Sequence, residues 1–344
     1  MRYTDKNTTI VEQVKITMKK ILAMLLVLVI GLSASICCAE AAFPVTVTDH
    51  AGREVTIEAE PETLVSGYYI STSLLIALDQ DAKLVGVENK ANTRPIYGLA
   101  APAILELPGV GTAKQFDLEL CASLNPDLVI LPIKLKDAAA SLEELGMRVL
   151  LVNPEDQALL EECIAMLGAA TGSADRAEEL LGWMDAMEEN LADSLAAAEQ
   201  PAVYISGNSA FLNTAGAPMY QNSLIENAGG ANVAAEISDK YWAEVSYEQL
   251  LAWNPEVIVL AADADYSIED VLADANLNGC AAVENGRVYQ IPGAIENWDS
   301  PVPGSLLGSM YLASCLHPDV VSTEDYQAAA AYFYEYFYGF SPEL

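Results

Sequence analysis

Histidine is nearly absent. His50 and His317 are the only two in 344 residues, which excludes a multi-histidine zinc centre and leaves little room for a serine triad. His50 reads as a turn residue, not a ligand. Basic side chains are scarce too: 16 Lys and Arg stand against 49 Asp and Glu, a formal charge of -33. That balance argues against nucleic acid or an anionic membrane surface as a partner. The chain carries no C-x-x-C, no G-x-S-x-G, no G-x-x-x-x-G-K-[ST], no G-x-G-x-x-G and no H-E-x-x-H, so the familiar hydrolase, nucleotide and zinc-protease signatures are missing. Acid pairs carry no signal in so acidic a chain. What is present is apolar mass: 52% hydrophobic residues, enough for a full core in two domains of ordinary size.

The first 41 residues read as an export signal. Lys19 and Lys20 precede an apolar run over residues 21–36 and an A-x-A site, Ala39-Glu40-Ala41, which predicts cleavage after Ala41. Met18 is the expected true start. Lipidation of Cys37 or Cys38 is an alternative, and an uncleaved anchor a third. Cys121, Cys163, Cys280 and Cys315 remain. Cys121 and Cys163 lie in apolar helical patterns and read as buried thiols, with pairing of Cys121/Cys163 or Cys280/Cys315 left open.

Residues 173–198 organise the rest. Ala177, Leu180, Leu181, Met184, Met187, Leu191, Leu195 and Ala198 recur at helical spacing, with Ser173 as expected N-cap and Pro201 as the stop. Strand-and-helix sequence of similar length lies on either side. The helix is therefore read as a strut joining two lobes: 42–170 before it, 171–200 for the linker, 201–344 after it. A hairpin is expected at 45–48 and 54–57. Short apolar strands at 63–66, 84–87, 128–131 and 149–152, and again at 202–206, 257–261 and 287–291, predict α/β lobes, each with a mainly parallel sheet covered by helices. Residues 119–131 (ELCASLNPDLVIL) align without a gap on 248–260 (EQLLAWNPEVIVL), so the two lobes repeat one plan. Each copy starts on an acid, Glu119 or Glu248, and ends its helix at Asn-Pro. The aromatic C-terminal stretch 323–337 is expected to pack on the second lobe.

Ligands of open parallel sheets sit beyond the carboxyl ends of the strands. The segments there nominate Tyr68, Tyr69, Phe211, Trp242 and Trp298 to stack on a ligand. Lys114 and Lys134, with Arg94 beside them, would neutralise its charge. Lys90 and Lys136 lie nearby, so the clustering predicts an anionic guest.

These segments resemble a known family. Thr48-Asp49-His50-Ala51-Gly52-Arg53, Leu84-Val85-Gly86-Val87, Leu124-Asn125-Pro126-Asp127-Leu128-Val129 and Ala228-Gly229-Gly230-Ala231-Asn232-Val233 are similar to motifs of periplasmic substrate-binding proteins of ABC importers for iron-siderophores, haem and cobalamin, the class with a rigid helical linker. The resemblance implies two lobes that grip a metal chelate, no catalysis, and no cofactor beyond the cargo. It implies that Glu119 and Glu248 dock on arginines of the ABC importer permease, and that Trp242 and Trp298 line the pocket. Thr72-Ser73 stands where many members have Thr-Glu. The reading is an exported monomer that captures a ferric siderophore. Haem, ligated through Tyr68 or Tyr69, and cobalamin are the alternatives within the class. An exported α/β hydrolase using the same cleft is the alternative outside it.

Overall fold

The computed structural model describes residues 43–238 and 242–343. The export signal, its cleavage site, Cys37 and Cys38 lie outside the described residues. The chain opens with the expected hairpin, β1 (Val45–Thr48) against β2 (Glu54–Ile57). Its turn is held by Asp49, only 3% exposed. One Asp49 oxygen accepts from the N–H groups of Ala51 and Arg53, the other from the Arg53 guanidinium and Leu151 N–H. Burial works to raise the Asp49 pKa, but these donors outweigh it and hold the carboxyl below the ordinary range. His50 is a turn residue whose Nδ1 accepts from Asn153 N–H at 2.7 Å.

The first lobe contains β3 (Leu64–Ser66), β4 (Leu84–Gly86), the small hairpin β5 (Gly111–Thr112) and β6 (Gln115–Phe116), then β7 (Leu128–Pro132) and β8 (Val149–Val152). Its sheet runs β4-β3-β7-β8, all parallel. The second lobe contains β9 (Ala202–Ser206), β10 (Asn213–Ala215), β11 (Ala231–Asn232), β12 (Trp242–Glu244), β13 (Val257–Leu260) and β14 (Val288–Gln290). Here β9, β13 and β14 are parallel, while β10 and β12 extend the sheet antiparallel and β11 lies beside β9.

Period-two alternation sends each strand's side chains to two cores. Leu128, Ile130, Leu150 and Val152 face a core shared with Val203, Ile205, Val257 and Val259 of the other lobe. Val129, Leu131, Val149 and Leu151 face a second core, and Tyr204, Ile258 and Leu260 a third. The shared core is continuous because the linking helix Ala174–Leu195 runs through it, burying Ala177, Leu180, Met184, Met187, Leu191 and Leu195. Asn125 and Asn254, at matching points of the repeated segments, both adopt left-handed backbone, with φ of 48° and 46°. The Asn-Pro junction thus turns the chain alike in each lobe.

Two expectations need correction. Ser173 occupies the N-cap position, but its hydroxyl meets Thr171 Oγ1 at 2.9 Å and caps nothing. The preceding helix Gln157–Thr171 ends at left-handed Gly172, so the two helices abut with no room for an extended cap. The C-terminal helix Thr323–Tyr338 packs on more than the second lobe. Phe333 lies 4.6 Å from Trp183 of the linking helix, and Tyr338 Oη donates to Ser73 O of the first lobe. Its Phe333, Tyr334, Phe337 and Tyr338 are all buried. All four described cysteines are free thiols, and no described helix is long and apolar enough to cross a membrane.

Candidate ligand-binding cleft

Beyond the carboxyl ends of the two sheets lies a cavity of about 570 Å³, a size suited to a drug-sized guest. Among its lining residues the lobes touch directly, with Ile96 N–H donating to Ile295 O at 3.2 Å.

The first-lobe wall begins where β3 runs through Gly67 into the helix Tyr69–Ala77. A Cβ at Gly67 would fall 2.6 Å from Leu131 Cδ2 and 3.3 Å from the Phe116 ring, so a side chain there would push Leu131 aside. The hydroxyls of Ser66, Ser71 and Thr72 bond to one another or to Tyr68 O and fix the turn. Tyr68 and Tyr69 then face the cavity, as does Arg94. The Arg94 guanidinium carbon lies 3.9 Å from the Tyr69 ring centre, a cation–π contact. Behind it is Glu88, 6% exposed, which accepts from Thr72 Oγ1 at 2.6 Å and Tyr97 Oη at 2.8 Å. Arg94 Nε is 3.6 Å from Glu88 Oε1. Burial pushes the Glu88 carboxyl up, opposed by its hydrogen bonds and by Arg94.

The second-lobe wall is acidic. Asp263, Glu296 and Asp299 line it, and Glu155 adds a fourth acid from the first lobe. Asp299 Oδ2 accepts from Ala262 N–H at 3.0 Å, and burial pushes its carboxyl up to about 6. Glu296 accepts from Tyr334 Oη at 3.0 Å and is pushed up to about 7, again by burial. Trp242, 43% exposed, stands on β12 as the second lobe's aromatic.

The structure therefore gathers Tyr68, Tyr69, Arg94 and Trp242 at one cavity. The other nominated residues are elsewhere. Trp298 is 2% exposed, and its Nε1 donates to Tyr334 Oη at 2.8 Å, so it belongs to the core under the C-terminal helix. A large ring whose N–H finds a partner is more stable buried than at a wet wall. Phe211 packs between Tyr204 and Tyr266, ring centres 5.7 and 5.9 Å away, in the second lobe's outer core. Lys114 is exposed at the β5–β6 turn. Lys134 is exposed on the 3-10 turn Ile133–Leu135, which buries Leu135 and so turns its neighbour outward. Neither lysine, nor Lys90 or Lys136, lines the cavity; among the described lining residues Arg94 is the one base. The expected basic cleft is thus corrected to an acidic, aromatic one. Glu88, Glu155 and Asp299 escaped the sequence reading, although Glu88 follows β4 by the same strand-end rule that nominated Arg94. Glu119 and Glu248 are both exposed on the first turns of Leu118–Ser123 and Tyr247–Trp253, helices capped by Asp117 and Ser246.

The family model described as periplasmic binding protein matches residues 64–294. This chain belongs to that family. Periplasmic binding proteins bind and hand over their cargo, which overturns the hydrolase alternative. The molybdate-binding protein MolA of Haemophilus influenzae is 27% identical over 85% of this chain and 90% of its own. The uncharacterized ABC transporter substrate-binding lipoprotein YvrC of Bacillus subtilis is 27% identical over 80% of this chain and 87% of its own. A cobalamin-binding protein of Halobacterium salinarum is 26% identical over 72% of this chain and 66% of its own. Among solved structures, MolA bound to molybdate superposes with a TM-score of 0.76 at 22% identity, covering 87% of this chain and 99% of that one. A periplasmic solute binding protein of Veillonella parvula gives 0.74 at 24% identity, covering 87% and 94%. These likenesses establish the two-lobed α/β fold.

Proposed function

We propose that this periplasmic binding protein serves an ABC importer and holds a metal chelate of neutral or positive charge between its lobes. The observation that carries the reading is the lining of the cleft. Rings come from both lobes, and the one described base, Arg94, shares the lining with Glu155, Asp263, Glu296 and Asp299. A corrinoid, or a ferric siderophore of the neutral hydroxamate kind, suits that balance. A ferric catecholate, carrying several negative charges, would meet repulsion from these acids. Haem fits less well. Its two carboxylates need more than one base, and burial pushes the phenols of Tyr68 and Tyr69 up, away from the phenolate an iron ligand must be. Export through the signal in residues 1–41 belongs to the same proposal.

A second reading is an oxyanion, favoured by the partly exposed guanidinium of Arg94 in the lining. One thermal-shift panel separates the two: cyanocobalamin, a ferric trihydroxamate, haemin, a ferric catecholate and molybdate. The first two are expected to raise the melting temperature, since a ligand at a hundredfold its Kd adds about 2.7 kcal/mol. Stabilisation by molybdate or the catecholate alone would overturn the chelate reading.

Glu119 and Glu248 are proposed to dock on basic side chains of the permease, being exposed acids at matching places on the two lobes. Exchange of either for alanine is expected to slow uptake in a reconstituted importer while chelate affinity stays unchanged. Undiminished uptake in both variants rules the docking role out.

A further inference from the structure

Glu88 is a carboxylate in a dry place. Its side chain is 7% exposed. The hydroxyls of Thr72 and Tyr97 satisfy its oxygens but do not balance its charge. Arg94, 3.6 Å away through Nε, is the base that does. Buried ions are tolerated when paired and hydrogen-bonded, and Glu88 meets both conditions. Arg94 is held in turn from two sides, by Glu88 at Nε and by the Tyr69 ring under the guanidinium. Its side chain is still 36% exposed, and no described residue accepts from its Nη groups. The open end of Arg94 is therefore a fixed pair of N–H donors at the cavity, with its positive charge already matched from behind.

Such a donor differs from a free arginine. It can bond an acceptor oxygen in a planar fork, yet it offers little net attraction to an anion, because the carboxylate behind it cancels the field. We infer that Glu88 is a specificity-determining residue: by neutralising Arg94 while leaving its Nη hydrogens free, it makes the cleft select guests that present neutral acceptors, such as amide or hydroxamate carbonyls, over anions. The inference rests on the reading of this cavity as the chelate site.

The test is Glu88→Gln, which keeps an oxygen for Thr72 or Tyr97 and removes the charge. Wild type and variant are titrated calorimetrically at pH 8 with molybdate and with cyanocobalamin, whose side chains carry amide carbonyls. Molybdate is expected to bind about tenfold tighter to the variant. The gain should shrink as salt rises, and the cyanocobalamin affinity should change by less than about threefold. A purely structural role would weaken both probes together; that result, or no gain for molybdate, overturns the inference. If wild type binds neither probe, the corrinoid form of the chelate reading fails by itself, and the molybdate titration of the variant still decides the role of Glu88. Should Glu88→Gln lose its folded signal, Arg94→Met serves instead. It leaves Glu88 uncompensated and is expected to weaken cyanocobalamin by about tenfold or more. Unchanged cyanocobalamin affinity in that variant also overturns the inference.

Discussion

Replacing Trp298 by alanine is expected to destabilise the fold by about 3–5 kcal/mol, the usual result of emptying a buried indole site. The ring is 2% exposed and lies 6.4 Å, centre to centre, from Tyr326. The helix Ser305–Leu316 passes so close that a Cβ at Gly308 would fall 2.3 Å from Trp298 O. The substitution also removes the donor to Tyr334 Oη, itself the donor to Glu296. Urea unfolding of wild type and variant measures the loss. A ligand-stacking role predicts the opposite pattern: affinity lost while stability changes by less than about 1 kcal/mol, as for an exposed side chain. That pattern would return Trp298 to the cleft wall.

Glu296→Gln is expected to remove a pH dependence of stability worth roughly 3 kcal/mol. Burial pushes the carboxyl up to about 7, against the pull of the Tyr334 hydrogen bond and the Gly304 backbone. In the unfolded chain it titrates near its ordinary value, about 4.3. Between these values the folded state keeps a proton that the unfolded state releases, so folding is increasingly disfavoured as pH rises. The contribution is fully present below about 4.3, is lost progressively towards 7, and stays lost above. Asp299, pushed up to about 6, acts with the same sign over a narrower window. Asp49, whose pKa is lowered, acts with the opposite sign and only on the acid side of its ordinary 3.8. Unfolding free energies at pH 5 and pH 8 should therefore fall further apart for wild type than for Glu296→Gln. Parallel behaviour of the two proteins would show that Glu296 titrates normally.

Legibility differed sharply between elements. β1 and β2 fall on the residues expected of the hairpin, and β8 and β9 on the apolar runs at 149–152 and 202–206. The linking helix ends at Leu195, short of the expected 198, so Ala198 lies beyond it; of the seven other apolar positions that marked its face it buries six. The strand-end rule placed Tyr68, Tyr69, Arg94 and Trp242 at the cavity, and failed for Phe211, Trp298, Lys114 and Lys134. Its failure has one cause. The rule locates a backbone segment near the cleft but does not say which way each side chain turns. Trp298 follows a lining residue, Asn297, yet points into the core because an indole with a buried hydrogen-bond partner is better placed there. Lys134 sits beside buried Leu135, and the 3-10 turn that hides the one exposes the other.

The sequence by itself determined most of the strands, the linking helix, the doubled lobe plan and the family, because periodicity and local turn chemistry are properties of neighbouring residues. The charge of the cleft was decided only by the tertiary structure. Glu88 and Arg94, six residues apart, meet through the turn between them, whereas Glu155, Asp263 and the pair Glu296 and Asp299 line one cavity through chain crossings that no local pattern encodes. A site's electrostatics depend on distance and burial in space, and both come into being only when the lobes close around the shared core.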